Sequence, residues 1–131
     1  MNEVNNPNTS EEIDFQLVIL ESPYSGDVEA NVAYARECMR DSILRGEAPY
    51  ASHLLYTQPG ILDDTVAEER VLGMKAGMAW GAMASKTVVY IDRGISSGMQ
   101  YGVEMAKKAG RLVEYRSLDQ TKTFDLVEDH L

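Results

Sequence analysis

Four short apolar runs divide the chain, and the stretches between them have helical periodicity. The runs are "FQLVIL" (Phe15 to Leu20), "APYASHLLY" (Ala48 to Tyr56), "KTVVYI" (Lys86 to Ile91) and "RLVEY" (Arg111 to Tyr115). Continuous apolar runs of this length are the mark of strands buried on both faces. From Val28 to Leu44 the residues Val32, Ala35, Met39, Ile43 and Leu44 recur at helical spacing, and Gly46 follows as a stop. Thr65 with Glu68 is a capping-box pattern that opens a second helix reaching about Ala84. Ser97 with Gln100 is another, opening a third helix that ends at Gly110. The order β-α-β-α-β-α-β with short crossovers requires parallel strands, and right-handed crossovers place helices on both faces of one sheet. The expected fold is a single small doubly wound α/β domain with a mainly parallel sheet of four to five strands.

The domain spans 14–131. Residues 1–13 are rich in Asn, Thr, Ser and Glu and too polar to repay the entropy of ordering, so a flexible N-terminal tail is expected there. With 131 residues and 44% hydrophobic content the chain buries one core. Its 12 basic and 21 acidic residues leave a net charge of -9, which repels nucleic acid and anionic membrane surfaces. No apolar run approaches a membrane span and no signal peptide is present, so a cytoplasmic location is expected. The one cysteine, Cys38, falls on the apolar side of a helix and reads as a buried structural thiol. His53 and His130 have no metal-ligand spacing, and the acidic cluster Asp63, Asp64, Glu68 and Glu69 lies at a helix start, where carboxylates complement the dipole. Neither a metal nor a cofactor is expected.

In a parallel sheet every loop that follows a strand lies at the carboxyl edge, where ligands collect. "DRGISSG" carries Asp92 at a strand end, then Ser96, Ser97, Gly98 and Met99 at a helix start whose free N–H groups suit an anion or a ribose hydroxyl. An ordinary Ser N-cap needs the same residues. "ESPYSG" brings Glu21, Ser22, Pro23 and Tyr24 to the same edge, with Tyr24 placed to stack on a base. Ser52, His53, Tyr56 and Gln58 supply a further polar and aromatic set suited to a sugar or base edge. The second helix carries Gly73, Gly77 and Gly81 at four-residue spacing, a stripe free of side chains. Such a stripe invites close approach of another backbone, either the chain's own sheet or the same helix of a second subunit. A homo-oligomer built through this helix is the expectation.

The stretches "ESPYSGD", "ASHLLYTQPG" and "TVVYIDRGISSGMQYGVEMAKKAGRLVEY" resemble, across residues 15–116, a small phage-associated family similar to the nucleoside 2-deoxyribosyltransferases and their nucleotide-binding relatives. The resemblance implies a Rossmann-like sheet, a nucleoside or ribosyl-phosphate pocket at its carboxyl edge, and oligomers in which a neighbouring subunit often completes the pocket. One departure stands out. In the deoxyribosyltransferases the third loop reads glycine, threonine, two variable residues and the attacking glutamate. Aligning that glycine with Gly98 places Met99 at the threonine and Gly102 at the nucleophile. Glu104 lies roughly 200° further round the helix and does not substitute. The carboxylates left for catalysis are Glu21 and Asp92. The leading expectation is therefore a protein that holds a nucleotide-derived small molecule without turnover, such as a phage sponge for a host immune signal of the cyclic ADP-ribose type. An enzyme that cleaves or transfers an N-glycosidic bond is the alternative, and a protein-interaction module is a third class.

Overall fold

A computed structural model of the chain describes residues 14–119; the tail expected over 1–13, and His130, lie outside the described residues. The elements are β1 (Gln16–Glu21), α1 (Val28–Leu44), β2 (Glu47–Tyr50), α2 (Ser52–Leu55), α3 (Ala67–Gly81), β3 (Lys86–Tyr90), α4 (Ser97–Lys108) and β4 (Leu112–Arg116). The four strands form one sheet in the order β2-β1-β3-β4, and every pairing is parallel. Strand alternation divides the core in two. Val18, Leu20, Val88 and Tyr90 pack with Tyr34 and Cys38 of α1 on one face, while Val89 packs with Met99 and Val103 of α4 on the other. The sheet is thus sandwiched between helices, the doubly wound α/β arrangement expected. Cys38 is fully buried, and burial pushes its thiol up to about 12, far from nucleophilic use.

The structure departs from the pattern reading in four places. First, "APYASHLLY" is not one strand. Its apolar alternation continues past Tyr50, but β2 is an edge strand paired only with β1, and after Ala51, still extended, the backbone turns helical at Ser52. Leu54 N–H then bonds Ala51 C=O and Tyr56 N–H bonds Ser52 C=O, which makes α2. Second, the buried stripe of α1 is Asn31, Tyr34, Ala35, Cys38 and Ser42, while Ile43 and Leu44 are exposed. Polar members of that stripe are tolerated because each has a partner: Asn31 Nδ2 donates to Tyr24 C=O, and Ser42 Oγ donates to Glu47.

Third, both capping patterns are displaced. Thr65 bonds Asp63 instead of capping α3, and Glu69 rather than Glu68 reaches back, accepting from Asp63 N–H at 2.7 Å. For α4 the N-cap is Ser96, whose Oγ accepts from Met99 N–H at 3.2 Å, with the Met99 sulfur at 3.3 Å from Ser96 N–H. Fourth, the glycine stripe of α3 is approached closely by side chains of its own chain. A Cβ at Gly73 would lie 3.4 Å from Leu62, one at Gly77 3.1 Å from Ser52, and one at Gly81 3.1 Å from the Arg111 guanidinium. The close approach that compensates these glycines is therefore intramolecular, and Val71, Leu72, Met78, Trp80 and Met83 are left exposed.

The two edge strands are tied across the sheet by charge. Arg116 of β4 grips Glu47 of β2 with both terminal nitrogens and also bonds Glu114 at 2.6 Å and the Tyr90 hydroxyl at 3.1 Å. Lys86 joins the same carboxylates. Burial alone pushes Glu47 toward protonation, but hydrogen bonds from Arg116, Ser42 and Lys86 overcome it and hold the carboxyl at about 2. Because the pair is buried, removing one member strands the other. Arg116→Met is expected to lower unfolding stability by about 3 to 5 kcal/mol, read from urea denaturation at neutral pH.

Candidate functional site

The crossover from β1 leads to β2 on one side, and that from β3 leads to β4 on the other, so the strand order reverses between β1 and β3. At that point, on the carboxyl edge, the loops after both strands splay apart. The cleft between them has about 680 Å³ of open space, counted to its mouth, and is closed on its far side by α2 and the first turns of α3.

Of the residues singled out in the sequence, Glu21, Ser22, Tyr24, Ser52, His53, Tyr56, Ser96, Gly98 and Met99 line this cleft. Asp64 and Glu69 of the acidic cluster and Gly73 of the glycine stripe line it too, and the remaining candidates lie elsewhere. Pro23 is buried behind Ser22, Ser97 is exposed, and Gln58 turns back to donate to Leu54 C=O at 2.8 Å. Asp92 faces inward, away from the cleft. It accepts from the Tyr34 hydroxyl at 2.6 Å, from Ser117 Oγ, and from the N–H groups of Leu118 and Asp119. Burial favours its protonated form, but these donors overcome it and hold Asp92 at about 2, a committed structural carboxylate. Glu104 is exposed.

Arg70 is the main lining residue that the pattern reading missed. Its guanidinium reaches the start of α4: a Cβ built on Gly98 would sit 3.8 Å from an Arg70 terminal nitrogen. The free N–H groups of a helix start and a guanidinium thus form one positive corner, suited to a phosphate. The only signal for Arg70 was its place one turn into a helix that follows a long loop, which assigns no direction to the side chain.

On the opposite wall, Ser22 Oγ and His53 Nε2 are 2.7 Å apart, and the Tyr24 ring stands edge-on to the imidazole at 6.5 Å. Burial lowers His53 to about 4, so it is neutral at pH 7 and holds Ser22 by a neutral hydrogen bond. Among the described residues no group of three or more His, Cys, Asp and Glu side chains gathers to hold a metal.

The floor is Glu21, the last residue of β1. Its carboxyl is packed among Ile19, Met74, Gly98 and Gly102 and keeps one edge open to the cleft. None of the hydrogen bonds found among the described residues reaches it. Arg111 is near enough to favour its charge, yet that guanidinium is occupied by Thr87 Oγ1 at 3.0 Å and Gly81 C=O at 2.8 Å. Burial wins over the Arg111 charge and raises Glu21 to about 8. Glu21 is therefore mostly a neutral acid at pH 7, whereas in the unfolded chain it ionises near 4.5. The stability this protonation contributes is complete below pH 4.5 and is lost as pH rises through 8. Glu21→Gln should remove that loss and leave the variant about 2 kcal/mol more stable than wild type at pH 9, with little difference at pH 4, when thermal melts are compared.

Comparison with known proteins agrees with this geometry at the level of the fold. No curated protein matches the chain. A solved structure that is similar is the 2-deoxyribosyltransferase of the psychrotolerant bacterium Bacillus psychrosaccharolyticus, described as a biocatalyst for the synthesis of antiviral and antitumoral nucleosides. The match has a TM-score of 0.58 at 19% identity and covers 88% of this chain and 82% of that one. The sheet is accordingly a Rossmann-like, deoxyribosyltransferase-like fold. A family model described as "Domain of unknown function (DUF7768)" matches residues 16–116, from the first residue of β1 to the last of β4, and the chain belongs to that family.

Proposed function

We propose that this protein binds a nucleotide-derived small molecule in the carboxyl-edge cleft and releases it unchanged. The observation that carries this reading is glycine at position 102, where the resemblance places the attacking carboxylate; Asp64 and Glu69 line the cleft too, but from the loop before α3 and its first turn, on the far wall. Glu21 is held as a neutral acid and Asp92 is consumed by its four donors, so neither attacks a sugar carbon. The phosphate belongs at the corner made by Arg70 and the start of α4, the base against Tyr24 and Tyr56, and the sugar over Glu21 between them. A ligand of the cyclic ADP-ribose type has all three parts, and sequestering such an immune signal in a host cytoplasm, as a phage-encoded sponge, is the biological role we favour. An enzyme acting on N-glycosidic bonds is favoured by one observation, the carboxyl of Glu21 lying over Gly102. Such an enzyme would gain activity as pH rises past about 8 and Glu21 ionises.

Assembly belongs to the same proposal, moved to a different face of α3. Its glycine edge is occupied by its own chain, but Val71, Leu72 and Met78 on it, and Met83 just past its end, are exposed. Exposed apolar side chains gathered on one helix mark an interaction surface, and a second copy is the cover we propose.

Three measurements test these statements. Calorimetry with nucleosides, nucleotides and cyclic ADP-ribose should show saturable binding, weakened at least tenfold in Gly98→Leu, which fills the phosphate corner. Chromatography at pH 7 should recover the ligand intact, and multiple turnover there would overturn the binding reading. Light scattering should give an oligomer at micromolar concentration that Leu72→Asp dissociates; a monomeric wild type would remove the assembly proposal.

A further inference from the structure

Position 102 marks where a carboxylate would leave helix α4 for the cleft, and the chain has glycine there. The space is not empty. A Cβ built on Gly102 would lie 2.2 Å from Glu21 Oε2, 2.6 Å from its Cδ and 3.1 Å from Oε1. The Glu21 carboxyl therefore occupies the volume of the first side-chain atom at 102, and only glycine admits it. Glu21 is also the residue that walls the main cleft from a second, smaller cavity between α3 and α4, and it faces both. The second cavity is lined by Ile19, Met74, Met78 and Met105, and its donors, Tyr50, Ser52, Tyr101 and Arg111, make no hydrogen bond to the Glu21 carboxyl. A carboxyl without a protein partner favours one, and the cleft is the larger of the two openings it faces.

We infer that Glu21, delivered from β1 through the gap above Gly102, is the recognition carboxyl of the cleft and pairs with two adjacent hydroxyls of a ribosyl group. The choice of a sugar follows from position. Gly98, beside the phosphate corner, lines the same two cavities as Glu21, and in a nucleotide the group next to the phosphate is the sugar. A carboxyl has a donor and an acceptor when protonated, which matches a vicinal diol, whereas a dideoxy sugar leaves it unpaired. An unpaired buried polar group is strongly disfavoured, so the diol is selected by rejection of its absence. This inference rests on the nucleotide-binding reading above and adds which part of the ligand is read and from which strand.

The test compares adenosine monophosphate with its 2′,3′-dideoxy analogue by calorimetry. Wild type should prefer the diol at least tenfold. Glu21→Ala should reduce that preference to within twofold. Gly102→Ala should do the same, because its methyl group pushes a flexible carboxylate end aside rather than breaking the fold, which a thermal melt checks. The exchanged variant, Glu21→Gly with Gly102→Glu, returns a carboxyl to the same volume from α4 and should restore the preference in part. Retention of the preference in Glu21→Ala, or in Gly102→Ala, overturns the inference. A ligand-free readout separates its failure from failure of the binding reading: by carbon-detected NMR, Glu21 should titrate near 8 in wild type and fall toward 4.5 in Gly102→Ala. If no nucleotide binds wild type but the titration moves in this way, the binding reading and the diol fall while the pairing of residues 21 and 102 stands. If the titration does not move, the pairing falls.

Discussion

The carboxylate of Asp92 gathers donors from two separate parts of the chain, and the geometry of the carboxyl edge follows from it. The Tyr34 hydroxyl reaches it from α1, while Ser117 Oγ and the N–H groups of Leu118 and Asp119 reach it from the segment after β4. The Tyr34 oxygen in turn accepts from the Asp92 N–H at 2.9 Å. The chain leaving β3 is thereby fixed between the helix on one face and the last strand, which sets where Ser96 begins α4. A carboxylate with this many donors is rigid, and rigidity there is transmitted to the start of α4 a few residues further on. Asp92 shapes the cleft without entering it.

Much of the sheet was legible from pattern alone, because β1 and β3 are central strands buried on both faces and advertise it with continuous apolar runs. β2 was legible only as far as Tyr50. Past that residue the same alternation of small, polar and apolar side chains serves a short helix, and an edge strand lacks the second neighbour that would hold it extended. The glycine stripe of α3 had a correct physical basis, close approach, but spacing along one helix carries no information about what approaches. Capping patterns erred by a residue for a related reason: Ser96 and Ser97 are interchangeable as letters, and the backbone angle that separates them is set by the turn before.

The site was half legible. Small and polar residues after strands marked the loops that converge, and nine of the residues they named line one cleft. Side-chain direction was not readable. Asp92 and Glu21 are both carboxylates at strand ends, yet one turns into a nest of donors and the other into an apolar slot, and their acidities diverge from about 2 to about 8. Nor does the letter G at 102 disclose that a residue distant in sequence fills its place. That the Glu21 carboxyl fills the side-chain volume of Gly102 is visible only once the chain is folded.

Helix α3 forms one wall of the cleft through Arg70, Gly73 and Met74, yet the only residue it buries fully is Gly81. A glycine contact brings backbones close but interlocks few side-chain atoms, so little apolar surface opposes a sliding or tilting motion of the helix. Local opening follows the weakest packing. In an isolated chain α3 is therefore the panel that swings first, and amide exchange along it should outpace exchange in β1 and β3 by a wide margin. Ligand entry need not unfold anything else, since the rigid Asp92 side stays fixed while the glycine-backed side yields.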